Sequence, residues 1–528
     1  MFKASKLLRL KKWWLQHQWL STLLVFSISV LMFSLWIPND TFRDPDAFYH
    51  IGVTEQIIEQ GWILTEFPWL HFTTIRDSYV DHHMLYHVLL VPFFLLFGPY
   101  AGIKIATILL GAGVITTTHH ILQKFGLRYT ALFSLLLLFT YQSSFRYALS
   151  KAPSMSIILL FIAFALLAHK RYIWLALLSF IYVWSYGGFP LLFVLTGFAL
   201  IISLGQYYFT NKNEHNTAAI KSNIYSIIAT SSGVLGALLL HPSFPTHFYF
   251  YWQQIIQIGL VNYQDIIGVG GEWYPLPLDA LVFNSPHISA LLLLSTILVI
   301  KYAKKITAKS WLAYILSIFF CIFTLKSQRY LEYYIPWTVF ASALIIIDTE
   351  LIEAVHKIIR LWKKEATPAM HAASALLIVS SIVLLASIGW KTHTTLITAL
   401  HKDAIEFERY AGPAEWLNTN AEAESIVLHS NWSDSLMLFH HAPSMRYIVG
   451  LDPTFMYNYD ADLYWTWVNI TTGEKSENLH ATITEEFTAS YVLIENDHTA
   501  MMKNIKAADG FTQVFEDEDA ALFSVDKQ

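Results

Sequence analysis

Apolar runs long enough to cross a bilayer recur through the first 390 residues of this 528-residue chain, and nothing else constrains its fold so tightly. A segment in hydrocarbon must satisfy every backbone N–H and C=O internally, so runs of this kind become helices. Only 14% of the residues are charged, against roughly 25% in a soluble domain, and 55% are hydrophobic. An α-helical polytopic membrane protein is the expected fold class. The basic residues are few and scattered among loops, which excludes a nucleic-acid footprint. The single cysteine, Cys321, lies inside an apolar run, so there is no disulfide framework.

Charge placement orients the chain. Lys3, Lys6, Arg9, Lys11 and Lys12 precede the first run, from about Leu20 to Ile37, which lacks a small-residue cleavage site. It reads as an uncleaved helix with its N-terminus in the cytoplasm. An outer loop follows from Pro38, and the apolar stretch Met84 to Gly98 is short for a span and reads as an interfacial or re-entrant helix of that loop. Further spans are expected at 100–118, 129–143, 155–168, 172–186, 189–205, 224–240, 288–301, 310–325, 333–348 and 371–390, about eleven with the first. The connectors holding Lys124 and Arg128, Lys170 and Arg171, Lys212 and Lys221, Lys301 to Lys305, and Arg360 to Lys364 then all face the cytoplasm. Counting 84–98 as a span would invert every one of them.

The chain therefore divides into a membrane domain, 1–390, with long outer loops at 38–98 and 241–287, and a soluble extracytoplasmic α/β domain, 391–528. Strand-like runs at Ser425 to Leu428, Tyr491 to Ile494 and Ala521 to Val525 alternate with helical stretches at Ala404 to Asn418 and His498 to Ala508. Asp517 to Asp519 reads as a turn. The expected location is the cytoplasmic (inner) membrane, with membrane lipids as partners.

The outer segments carry the chemistry. Asp44 and Asp46 stand in Arg43-Asp44-Pro45-Asp46-Ala47-Phe48-Tyr49-His50, just past the first span. Charge at the rim of a membrane protein is costly unless it holds a metal, a partner or a substrate. Two carboxylates at this spacing can share a hard divalent cation; the competing reading is that they cap and start a helix. Asp77, Asp81, His82, His83 and His87 follow in the same loop. Such an Asp/His set suits Mg²⁺ or Mn²⁺ through carboxylates, or Zn²⁺ through imidazoles. The candidate metal set is Asp44, Asp46, Asp81, His82 and His83. The competing reading pairs one histidine with a backbone carbonyl and solvates the other, and on a helix His83 and His87 would share a face.

Glu272 lies in Gly270-Gly271-Glu272-Trp273-Tyr274-Pro275 of the second long loop. Two glycines permit close backbone approach and two aromatics make a wall, as a substrate-contacting carboxylate would need. Arg329 sits at the outer end of a span, ahead of Tyr330, Glu332 and Pro336. An outer cation there runs against the positive-inside tendency and points to an anionic partner such as phosphate; an Arg329–Glu332 pair at i, i+3 is the alternative. Arg146 and Lys151, in the short loop after the third span, show the same inversion.

These stretches together resemble the GT-C superfamily of polyprenyl-phosphate-dependent glycosyltransferases, and most of all the catalytic subunit of oligosaccharyltransferase. Asp46-Ala47-Phe48-Tyr49-His50-Ile51 is similar to the family's first acidic motif, which implies that Asp46 is the metal-bound catalytic carboxylate and Asp44 its partner. Glu272 resembles the glutamate of the family's mobile outer loop. Arg329 precedes Pro336 by the family's seven residues, which implies contact with the lipid-linked phosphate. Trp416 to Asn420, leading to Ser430-Asn431-Trp432-Ser433-Asp434, is similar to the opening of the C-terminal domain and its Trp-Trp-Asp-Tyr-Gly signature.

Two departures stand out. Ser150-Lys151-Ala152-Pro153-Ser154 replaces the second acidic motif and removes a metal ligand, and the signature survives only as Trp432-Ser433-Asp434. The resemblance thus implies a related enzyme with a different acceptor. The expected roles are Asp46, Asp44 and Glu272 in catalysis, Arg329, Arg146 and Lys151 on the donor phosphate, and His50, Trp273, Tyr330, Trp432 and Asp434 on substrate. The expected reaction moves a sugar or glycan from a polyprenyl phosphate or diphosphate to an extracytoplasmic glycan, lipid or protein acceptor, with inversion and with a divalent metal (Mg or Mn) as the candidate cofactor. An oligosaccharyltransferase proper, and a lipid or glycolipid transporter or flippase, are the alternatives. Transporters place ionisable groups near the midplane, whereas here they gather at the outer rim.

Overall fold

A computed structural model describes residues 18–61, 64–127, 129–209, 214–365 and 367–526. The basic N-terminal residues Lys3 to Lys12, together with Arg128 and Lys212, lie outside the described residues. Among those described, seven helices are long and apolar enough to cross a membrane: Gln18–Trp36, Pro99–Lys124, Leu191–Phe209, Asn216–Leu239, Ala308–Lys326, Gln328–Asp348 and Ala373–His401. Shorter apolar helices run at Met84–Phe97, Pro153–Ala168, Tyr172–Ser185 and Pro286–Tyr302. The chain is an integral membrane protein built as a helical bundle with a small α/β domain at one end.

The helix Leu331–Asp348 is the axis of the bundle, with every residue from Leu331 to Ile346 buried. Pro286–Tyr302 and Ala308–Lys326 pack against it. Met84–Phe97, 14 residues and roughly 21 Å long, is shorter than a bilayer core of about 30 Å. It folds back on Pro99–Lys124 through Gly98, whose φ of +78° suits glycine. A Cβ at Gly102 would lie 2.9 Å from the Phe93 carbonyl, so the two backbones nearly touch.

The span expected at 129–143 is not continuous. Thr130–Leu138 has nine residues, roughly 14 Å, and the chain then breaks at Phe139 and Thr140 before a second helix, Tyr141–Tyr147. Thr140 is extended (φ −98°, ψ 111°), and its hydroxyl donates to the Leu136 carbonyl at 2.7 Å, the acceptor its own N–H would otherwise have used. A β-branched residue with a competing donor thus ends the helix. The break turns Arg146 and Lys151 toward the site.

The α/β domain begins after Pro368–His401, which continues past residue 390 as one helix. Strands β1 (Thr41–Phe42) and β2 (Ile405–Glu406) pair antiparallel and tie the first loop to the start of the domain. The remaining strands are β3 (Ile426–His429), β4 (Arg446–Tyr447), β5 (Tyr491–Glu495), β6 (Phe511–Glu516) and β7 (Ala520–Val525). They form one sheet in the order β4-β3-β5-β7-β6, with β3 parallel to β4 and β5, and β7 antiparallel to β5 and β6. His71 N–H donates to the Tyr447 carbonyl at 2.8 Å and Tyr447 N–H to the Trp69 carbonyl at 2.7 Å, so the first loop also covers the β4 edge. The domain is docked, and it roofs the bundle.

Candidate active site

Helix Asp46–Gln60 holds the acidic pair in place. Pro45 stands at its N-cap with φ −64°, a value the ring pre-sets, and Asp46 occupies the first turn. Ala47 through Thr54 are all buried, and Gly52 lets Phe439 of the α/β domain lie against the helix backbone. Asp44 starts the helix and holds a cation that is an ammonium, not a metal ion. Its Oδ1 accepts from the Asp46 backbone N–H at 3.0 Å, while its Oδ2 meets Lys151 Nζ at 2.8 Å.

Seven charged side chains from five segments meet here. Lys151 Nζ also lies 2.8 Å from Asp46 Oδ2 and 3.7 Å from Glu272 Oε2. Arg146 Nη2 lies 2.7 Å from Glu272 Oε2 and 3.0 Å from Glu332 Oε2. Arg329 Nη1 donates to Glu272 Oε1 at 2.8 Å and its Nη2 donates to Tyr186 Oη at 2.9 Å, with the guanidinium 4.8 Å from the Trp273 ring. Arg329 rides on the single turn Gln328–Tyr330 between two long helices, which fixes it at their common end. The Arg329–Glu332 pair weighed from sequence does not form in this arrangement: Glu332 is held by Arg146 instead.

Glu272 is the hub. Burial alone would raise its carboxyl, but Arg329, Lys151 and Arg146 outweigh that and hold it well below the usual range. Its loop is pinned by Ser327 Oγ donating to the Glu272 carbonyl at 2.9 Å and by Gln328 Nε2 donating to the Gly271 carbonyl at 2.7 Å. Asp46 differs: burial raises its carboxyl, with Lys151 opposing. A carboxylate pushed upward is suited to accept a proton.

All seven groups border one cavity of about 820 Å³ except Glu332, which lies behind Arg146. The first loop supplies Asp44, Asp46 and His50, the second loop Gly271, Glu272 and Trp273, and the α/β domain Trp432 and Asp452. Two expected substrate residues do not reach it. Tyr330 packs on Phe323 with ring centroids 5.1 Å apart. Asp434 is 2% exposed inside the α/β domain, accepting from the Asn431 N–H at 2.9 Å and the Tyr410 hydroxyl at 3.2 Å. Burial pushes its carboxyl up to about 7.

The histidines form a chain rather than a ligand set. Asp81 Oδ2 accepts from His87 Nδ1 at 2.8 Å, and His87 Nε2 meets His50 Nδ1 at 2.8 Å. A neutral His87 that donates its Nδ1–H to Asp81 accepts at Nε2 from His50 Nδ1–H. Asp81 Oδ1 is also engaged, accepting from the His83 N–H at 3.1 Å. His82 and His83 line the cavity, and their buried Nδ1 atoms have no hydrogen-bond partner among the described residues. Burial lowers the His82 imidazole to about 4.

The expected metal set of Asp44, Asp46, Asp81, His82 and His83 therefore does not converge. Among the described residues, the group of three or more metal-ligating side chains whose donor atoms lie within 4.8 Å of one another is Glu495, Asp497 and His498, in the α/β domain. Between Asp44 and Asp46, where a divalent ion would sit, stands the Lys151 ammonium. The residues present do not fit a metal at that point. Lys151 was expected on the donor phosphate, and the structure places it on the acidic pair.

Sequence reading missed Tyr186, Glu332 and Asp452 as parts of the site. Tyr186 carried a signal in the following Gly187-Gly188, which permits close approach, and Glu332 in being an acid that opens an apolar span.

No protein-family model matches the sequence, and no curated protein matches it. Solved structures do. The oligosaccharyltransferase AglB from Archaeoglobus fulgidus, in complex with an inhibitory peptide and a dolichol-phosphate, superposes with a TM-score of 0.60 at 14% identity, over 94% of this chain and 73% of that one. ArnT from Cupriavidus metallidurans, bound to undecaprenyl phosphate, gives 0.58 at 12% identity over 95% and 97%. This chain has the GT-C fold. The arabinofuranosyltransferase AftD from Mycobacteria gives 0.57 at 12% identity over 96% of this chain and 40% of that longer one. At these identities the likeness concerns the fold alone.

Proposed function

We propose that this protein is a membrane glycosyltransferase that moves a sugar from a polyprenyl-phosphate donor to an acceptor on the extracytoplasmic side. One observation carries the reading: Arg146, Lys151 and Arg329 converge with Asp44, Asp46 and Glu272 on a single 820 Å³ cavity at the end of the bundle under the α/β domain. Two partly buried guanidiniums, Arg146 and Arg329, at a bundle end suit a lipid-borne phosphate. The lipid phosphates bound by AglB and ArnT agree with that class of donor. A cavity of this size holds a sugar headgroup and part of an acceptor.

In the reaction the acceptor hydroxyl oxygen attacks the anomeric carbon as the bond from that carbon to the phosphate oxygen breaks. The electron pair leaves with the phosphate, and Arg329 and Arg146 stabilise the growing charge. The hydroxyl proton passes to Asp46. Attack opposite the leaving phosphate inverts the anomeric configuration. Glu272, held by the same cations, orders the loop that covers the donor and excludes water. The acceptor differs from that of an oligosaccharyltransferase, because Asp434 is turned into its own domain and only Trp432 and Ser433 of the shortened signature meet the cavity.

Mass analysis of lipid-linked and envelope glycans from cells with and without the gene tests the proposal. Loss of one sugar modification together with accumulation of its lipid-linked donor is expected. Unchanged glycans with altered distribution of a lipid between leaflets would replace it with the flippase reading.

A further inference from the structure

We infer that the Lys151 ammonium is the resident cation of this site, standing where a divalent ion would bridge Asp44 and Asp46, and that the protein works without a metal. The inference builds on the glycosyltransferase reading for its catalytic consequence only; the claim about cation binding stands on geometry. Lys151 Nζ lies 2.8 Å from a carboxylate oxygen of each aspartate. A divalent ion in that place needs a free position between the carboxylates, with room for the waters that complete its shell of six or more oxygens, and the ammonium takes that position. Here two carboxylates are offered, and among the described residues no third acid or imidazole converges with them closely enough to complete a ligand group.

The ammonium cannot easily move aside. Its residue sits in the tight turn between Tyr141–Tyr147 and Pro153–Ala168, with the Lys151 N–H bonded to the Leu149 carbonyl at 2.8 Å. Its side chain is enclosed, 11% exposed, and the space beyond it holds Glu272 with Arg146 already attached. A divalent ion entering beside it would meet two positive groups within a few ångströms. Substituting lysine for an acid at this position therefore exchanges a ligand for the cation it would have helped to hold.

The exchange alters the chemistry available. A divalent ion would neutralise both aspartates and weaken Asp46 as a base. One ammonium shared between two carboxylates leaves a negative charge on the pair, so Asp46 can still take the acceptor proton. The third N–H of the ammonium remains for Glu272 or a donor phosphate oxygen. Charge on the leaving phosphate is met by arginines instead of by a Lewis acid.

The test uses full-length protein in detergent, stripped with a chelator and titrated with Mn²⁺ while bound ion is followed by electron paramagnetic resonance. Wild type is expected to show no Mn²⁺ site that Asp44→Asn removes, and stripping is expected to leave transfer activity unchanged. Lys151→Asp is expected to gain one Mn²⁺ site, lost again on adding Asp44→Asn. Lys151→Gln is expected to lose at least about 10²-fold in transfer, with no rescue by Mn²⁺. A wild-type Mn²⁺ site that depends on Asp44, or activity lost on stripping and restored by Mn²⁺, overturns the inference. So does a folded Lys151→Asp protein that binds no Mn²⁺. If Lys151→Asp does not fold, the wild-type and Lys151→Gln titrations decide. Mn²⁺ binding is read without substrate, so absence of transfer in every variant would sink the glycosyltransferase reading and leave this one measurable.

Discussion

Arg329→Ala removes a guanidinium whose two terminal nitrogens are both engaged, Nη1 on Glu272 at 2.8 Å and Nη2 on Tyr186 at 2.9 Å, with its face against Trp273. A donor phosphate entering the cavity meets this fork, and a hydrogen bond to a charged group contributes about 1.5–3 kcal/mol. Losing one such contact weakens donor binding about 10- to 150-fold. Folding should survive, because Glu272 keeps Arg146 at 2.7 Å and its loop keeps the Ser327 and Gln328 hydrogen bonds. Arg329→Lys should recover little, since a point charge cannot reach Glu272 and Tyr186 together or grip two phosphate oxygens in one plane. The assay is binding of undecaprenyl phosphate to detergent-solubilised wild type and both variants, with thermal melts as the control for folding. Unchanged lipid binding with a lowered melt would make Arg329 a strut of the loop and refute the phosphate role. Full recovery in Arg329→Lys would refute the fork argument alone.

Two predictions concern stability. Asp434 keeps its proton in the folded domain up to about pH 7, whereas the unfolded chain releases it near pH 4. Unfolding thus releases a proton between those values, so this group's contribution makes the domain less stable as pH rises from about 4 to about 7 and changes nothing above. Asp434→Asn should flatten that slope, and identical pH–melt profiles for the two proteins would contradict the assignment. Gly102→Ala drives a methyl group to 2.9 Å from the Phe93 carbonyl and should cost about 1–3 kcal/mol, read as a lowered melt; an unchanged melt would mean that the Met84–Phe97 hairpin packs less closely than described.

The bundle was largely legible in the sequence because hydrocarbon allows only helices, and apolar run length reports them directly. Helices occur at all the expected spans, and 129–143 is the one that breaks internally, where Thr140 supplies a competing donor that run length does not register. In the α/β domain the three strongest apolar runs became β3, β5 and β7, while β2, β4 and β6 were missed; β2 falls in the stretch 404–418 expected as helix, where the helix begins only at Ala411. β4 has two residues, and β6 is half-exposed on the sheet edge with polar side chains. At the site, Asp44, Asp46, Glu272 and Arg329 announced themselves because charge at a membrane rim demands a partner. Which partner each has was not legible. Lys151 and Arg146 both looked like phosphate ligands, and only the fold shows one on the acidic pair and the other between two glutamates. Tyr330 and Asp434 misled because neighbours in sequence face opposite ways on a turn or helix.

Asp46 has a proposed role in chemistry on a sugar carried by a lipid phosphate. That role is tested most directly by reconstituting wild type and Asp46→Asn with a polyprenyl-phosphate-linked radiolabelled sugar and a membrane extract as acceptor source, and measuring label transferred. Asp46→Asn keeps the shape of the side chain and removes its charge, so transfer should fall at least about 10²-fold while lipid-phosphate binding and the melt stay close to wild type. Near-normal transfer by Asp46→Asn would contradict the account and leave Asp44-Pro45-Asp46 as the start of a helix and nothing more.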